Sequence, residues 1–143
     1  MTIDQISVFL ENRPGRLAEI TEYLGEAKID LRAMSIADTA DFGILRLIVD
    51  RPDDALAILK EKECIVTVTP VIAVSIDDSP GSLAKALRLF ADADITIEYL
   101  YAFITHKKEH AYVIFRVEDN DKAIKLLNDN GMTIAKKDEI YQL

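Results

Sequence analysis

Apolar residues fall at two different spacings along the chain, and the spacing switches at regular intervals. Ile6, Val8 and Leu10 alternate with less buried-type neighbours over 3–10, the two-residue period of a half-buried strand. From Pro14 onward Leu17, Ile20, Leu24 and Ala27 recur at helical intervals, so a helix with one apolar face follows. A proline in the first helical turn suits that start, because its missing N–H has no partner there. Two further strands are predicted at about 29–37 and 42–49, joined by the turn-like segment 38–41. In the second of them Leu45, Leu47 and Val49 face the helices, with Ile44, Arg46 and Ile48 opposite. A helix over about 52–62 and a strand over about 64–69 complete a βαββαβ unit.

The pattern then recurs with a nearly constant shift. Pro14-Gly15-Arg16-Leu17-Ala18 returns as Pro80-Gly81-Ser82-Leu83-Ala84, 66 residues later. The same shift aligns Ile6 with Ile72, Val8 with Val74, Leu10 with Ile76, Asn12 with Asp78 and Leu24 with Phe90. Beyond the third strand it becomes 68: segment 43–50 matches 111–118, and Leu59 matches Leu127. The second copy therefore carries two extra residues near 105–110. A register kept through successive apolar positions predicts two domains, 1–69 and 70–143, each an α+β, ferredoxin-like sandwich. Each has an antiparallel sheet with its helices on one face. Thr69-Pro70 joins the copies without a Gly/Ser linker, which favours a side-by-side arrangement. The tail, 138–143, lies outside the repeat and is available to add an edge strand.

Composition narrows the function classes. The chain has 143 residues, half of them apolar and 29% charged, as in a soluble globular protein. Its longest uncharged stretch, 64–76, is too short to span a membrane, and no basic segment opens a secretory signal. The net charge of −8 is shared between the copies and argues against nucleic acid, whose binding rests on neutralised phosphates. A single cysteine, Cys64, excludes an internal disulfide and a thiolate metal cage, and points to the cytoplasm. It also removes the iron–sulfur and copper-carrying members of this fold. An RNA-binding member would need stacking aromatics on its central strands, where the first copy offers only Phe9.

Candidate chemistry is sparse elsewhere. His106 and His110 sit in the extra segment with Lys107, Lys108 and Glu109, and a solvated loop is the expected reading. Cys64 has no histidine near it in sequence, so an inert thiol is expected. Tyr99, Tyr101 and Phe103 share one strand face and are expected to pack against the sheet. Asp53, Asp54 and Asp119–Asp121 lie at helix starts, where acidic groups offset the dipole. No nucleophile, base and orienting group can be assembled from these residues, and neither a cofactor nor a metal is implied.

The strand-to-helix turns carry the remaining signal. Asn12-Arg13-Pro14-Gly15-Arg16-Leu17 and Asp78-Ser79-Pro80-Gly81-Ser82-Leu83 resemble the D/N-x-P-G-x-L signature of the ACT domain, a small regulatory module that binds amino acids. Ile29-Asp30-Leu31 and Ile95-Thr96-Ile97 resemble the second strand that follows it in that family. The resemblance covers both halves and implies a tandem ACT protein that senses a free amino acid and regulates a partner metabolic enzyme. In the family the ligand sits between this turn and the second strand of a neighbouring domain, which implies Met34, Ser35, Leu100 and Tyr101 as the facing wall.

The turn has a physical logic of its own. Glycine admits close approach, and a helix start presents free N–H groups suited to a carboxylate. Asn12 or Asp78 can cap the helix or accept from an ammonium group, and capping alone is the competing reading. The first turn, with Arg13 and Arg16, is basic; the second, with Asp77, Asp78, Ser79 and Ser82, is acidic. A ligand-free interaction subunit and a small enzyme on the same scaffold remain alternatives. Ile44, Ile48, Tyr112 and Ile114, on the face without helices, form an apolar patch that suits a homodimer.

Overall fold

The computed structural model describes residues 1–38, 42–103 and 110–142. Most of the predicted turn after Asp38, the segment with His106, Lys107, Lys108 and Glu109, and Leu143 lie outside the described residues. The chain forms two units, Asp4–Thr69 and Pro70–Leu143, with Met1–Ile3 grouped with the second.

In the first unit β1 (Ile3–Glu11), α1 (Arg16–Glu26), β2 (Leu31–Asp38), β3 (Phe42–Val49) and α2 (Pro52–Glu61) follow one another and lead into β4 (Val66–Asp77). β1 and β2 both pair antiparallel with β3, with Ile6 opposite Leu47 and Met34 also opposite Leu47. On its other side Phe9 N–H donates to the carbonyl of Ile65 at 2.9 Å, where the chain enters β4. β4 runs through Thr69-Pro70 unbroken, so the two strands expected there are one.

The second unit repeats the order. The later part of β4, α3 (Ser82–Asp92), β5 (Ile97–Phe103), β6 (His110–Val117), α4 (Asn120–Asp129) and β7 (Thr133–Ile134) form it, followed by α5 (Lys137–Tyr141). β4 lies between β6 and β7, with Val74 opposite both Val113 and Ile134. β5 is the outer strand beside β6.

Strand alternation decides the cores. Ile6, Val8, Leu45, Leu47 and Val49 share one face and are buried against Ile20, Leu24, Ala55 and Leu59 of the helices. Ile72, Val74, Val113, Phe115 and Val117 do the same with Phe90, Ala123 and Leu127. Burying each large aliphatic side chain contributes about 1.5–3 kcal/mol. Asp119 caps α4 by accepting from Lys122 N–H at 3.1 Å, and Asp53 and Asp54 stand in the first turn of α2.

All four long helices end alike. Lys28, Glu63, Asp94 and Gly131 follow them with positive φ of 58°, 61°, 57° and 72°. In each case the next residue donates back across the turn: Ile29 to Leu24, Cys64 to Leu59, Ile95 to Phe90 and Met132 to Leu127, all at 2.9–3.0 Å. These are Schellman motifs, and only one of them uses glycine.

Two expectations change. The tail adds no edge strand: it coils into α5, whose Ile140 is fully buried. The expected apolar patch is not exposed either, because Ile48, Ile114 and Tyr112 are buried and only Ile44 reaches solvent. In the second unit Glu139 of α5 lies within electrostatic reach of Tyr112. Burial, followed by that carboxylate, raises the Tyr112 phenol above its ordinary 10.0. Tyr101 and Phe103 are buried too, with Phe103 stacked on Tyr112 at 5.4 Å.

Candidate functional site

Both strand-to-helix turns are built identically. Arg16 N–H donates to the carbonyl of Arg13 at 3.3 Å, and Ser82 N–H to Ser79 at 3.2 Å. Gly15 has φ 85° and ψ −11°, and Gly81 has φ 88° and ψ −9°. With proline before glycine this is a type II turn, whose third residue requires positive φ. The prolines therefore precede the helices instead of opening them, because the Pro-Gly pair forms the turn and each glycine is the N-cap. The N-cap of each helix is thus the glycine itself, which has no side chain to cap with. A Cβ on either glycine would meet open space, so backbone conformation and not crowding selects the residue.

The first turn is internally neutralised. Glu19 accepts from Arg13 through both oxygens, at 3.3 and 3.1 Å, and from Arg16 at 3.0 Å. Arg13 also approaches Glu11 at 3.4 Å. The hydrogen bonds from Arg13 and Arg16 hold the Glu19 carboxyl below its ordinary range, and Glu19 raises both guanidiniums in return. Arg16 is no solvated helix residue. Its side chain is only 14% exposed, and Nη2 lies 3.9 Å from the buried Cys64 thiol. A cleft of about 220 Å³ opens beside this turn, lined by Leu10, Glu11, Asn12, Arg13, Leu17, Ile36 and Gly43.

The second turn has its own cleft, also about 220 Å³, on the side of α4 and β7. Ser75, Asp77, Ser82, Lys85, His110 and the loop Gly131, Met132 and Thr133 surround it. Ser82 Oγ lies 2.7 Å from Ser79 Oγ. His110 opens β6 opposite Asp77 instead of lying in a loop, and its Nδ1 stands 3.7 Å from the Asp77 carboxylate. Strand pairing produces this placement, which the run of charged residues before it conceals.

The expected site residues separate into groups. Asn12, Arg13 and Leu17 line the first cleft, and Ser82 lines the second. Pro14, Gly15, Pro80 and Gly81 shape the turns; Asp78 and Ser79 are exposed on the second, and Leu83 packs against its core. Met34 and Leu100 sit on the helix side of the edge strands β2 and β5, half-exposed, while Ser35 and Tyr101 point to the other face. None of these four lines either cleft. Lys85, His110, Thr133, Ile36 and Gly43 reach the clefts unannounced by any motif. Lys85 alone had a local signal, one helical turn beyond Ser82. No cluster of metal-binding side chains is present among the described residues. Among them, no helix is long and apolar enough to cross a membrane.

Two copies of a βαββαβ unit, each with a Pro-Gly turn beside a small cleft, define a tandem regulatory-domain architecture. The chain belongs to the ACT domain pair family, whose model matches residues 1–143. It is similar to protein BT0572 from Bacteroides thetaiotaomicron, with 40% identity over 100% of this chain and 98% of that one, at a TM-score of 0.94. The regulatory subunits of aspartate kinase from Thermus thermophilus and Thermus flavus have 20% and 18% identity and TM-scores of 0.64 and 0.61. Each comparison covers 88% of this chain, with 91% and 90% of the other, and shows the shared fold. No curated protein matches the sequence.

Proposed function

We propose that this ACT domain pair binds a free amino acid at its strand-to-helix turns and acts as a regulatory module on a partner metabolic enzyme, without catalysing a reaction itself. The observation that carries the reading is the recurrence of one turn geometry beside a small cleft in both copies. The clefts hold about seven waters' volume each. That suits an amino acid and falls below the roughly 300–1,000 Å³ of larger-ligand pockets. The Thermus proteins, named as regulatory subunits of aspartate kinase, lend a regulatory role support at the level of fold.

Thermal unfolding with each of the twenty amino acids at millimolar concentration tests this. A ligand at a hundred times its Kd stabilises by about 2.7 kcal/mol. Absence of stabilisation by every amino acid would remove the sensing role. A ligand-free interaction module is the second reading, favoured by the half-exposed rings of Phe9 and Phe42, 4.7 Å apart. Gel filtration with a candidate partner, with and without amino acid, separates the two.

A further inference from the structure

We propose that the amino acid binds in the cleft of the second unit, between Ser82, Lys85 and the loop 131–133, and that Arg16 closes the equivalent space in the first. This rests on the amino-acid reading above and specifies which turn carries it.

The comparison of the two copies carries the inference. Arg16 and Ser82 occupy equivalent positions at the helix start, as do Cys64 and Met132 just past the second helix of each copy. In the first unit Arg16 spans the gap, reaching to 3.9 Å from the Cys64 Sγ, while Glu19 holds its Nη1 at 3.0 Å. In the second the side chain ends at a hydroxyl. Ser82 and Met132 then line an open cleft of about 220 Å³ instead of meeting. The same helix face exchanges Glu19 for Lys85, so the carboxylate that neutralises the first turn is replaced by an ammonium group. Among the described residues Lys85 has no ion-pair partner, whereas both arginines of the first turn are committed to Glu19.

The lining complements a zwitterion. Lys85 and the Ser82 hydroxyl suit the carboxylate of the ligand, and Asp77 suits its ammonium group. His110 stands 3.7 Å from Asp77 at the same cleft, and Ser75 and Thr133 contribute to its lining. The cleft beside the first turn lies on the other side, towards β2 and β3. It is walled mainly by Leu10, Leu17, Ile36 and Gly43, with Arg13 tied to Glu11 and Glu19.

Backbone amide NMR spectra of the full chain, titrated with each of the twenty amino acids, locate binding directly. The expected result is concentration-dependent shifts at Ser82, Lys85 and Gly131–Thr133. Ser82→Arg, which places the first copy's residue in the second, should weaken binding at least tenfold. Lys85→Met, at an exposed position, should do likewise with the spectrum otherwise unchanged. Shifts confined to Asn12–Leu17, or binding that both variants leave intact, would overturn the assignment while the sensing role stands. Equal binding of the corresponding carboxylic acid without its amino group would overturn the zwitterion chemistry. No response to any amino acid would overturn the sensing role and this site together.

Discussion

Gly15 and Gly25 lie on the same stretch of chain, and a methyl group added to either would meet open space, yet alanine at the two positions should act in opposite directions. Gly15 is held at φ 85° by the type II turn, whereas Gly25 lies inside α1 with no such constraint. An L-residue in the left-handed region costs about 1–2 kcal/mol. The loss of unfolded-state freedom on replacing glycine returns about 0.4–1 kcal/mol. Gly15→Ala should therefore destabilise by about 1 kcal/mol net. Gly25→Ala has only the favourable side and should stabilise by about 0.5–1 kcal/mol. With a urea m-value of about 1–3 kcal/mol/M, the midpoints should move in opposite directions by about 0.2–1 M each. Far-UV circular dichroism during urea unfolding reads both. If the two variants move the midpoint the same way, backbone conformation is not what selects glycine in the turn, and the account of the Pro-Gly signature is wrong.

The helix ends supply the converse experiment. Glu63→Gly relieves a left-handed residue at φ 61° and should raise the urea midpoint by the equivalent of up to about 1 kcal/mol; a lower midpoint would contradict the Schellman reading. Ile140→Ala empties a fully buried position on α5 and should cost about 2–5 kcal/mol, measured by the same unfolding curves, whereas a change near zero would mean that α5 is not packed onto the fold. Glu19 has a folded pKa depressed below 4.5, so its ion pairs stabilise above the ordinary carboxylate range and are lost as pH falls through the folded value. Melting curves of wild type and Glu19→Gln should accordingly differ at neutral pH and converge in acid, and a gap that widens on acidification would refute the pairing. The Tyr112 phenol is raised, so part of the ultraviolet tyrosine titration should fall above the ordinary range, and Tyr112→Phe should remove that late component.

The sequence by itself determined what depends on near neighbours in the chain. Alternation over Ile6, Val8 and Leu10, and helical spacing over Leu17, Ile20 and Leu24, set which face each element buries, because side-chain direction follows the backbone period. The recurrence of Pro-Gly 66 residues apart marked both turns, since only that pair fits their dihedral angles so readily. Other features rest on groups far apart in sequence. Arg16 meets Cys64 only because α1 and the end of α2 pack side by side, and that meeting withdraws a basic residue of the turn from solvent. His110 faces Asp77 through a strand register that its charged surroundings do not reveal. Lys28, Glu63 and Asp94 adopt a conformation they disfavour locally, because hydrogen bonds across each helix end and the packing of the next residue outweigh the strain. The burial of Ile48, Tyr112 and Ile114 belongs to the same class: alternation assigns a side chain to a face, and only the tertiary structure decides whether that face meets water.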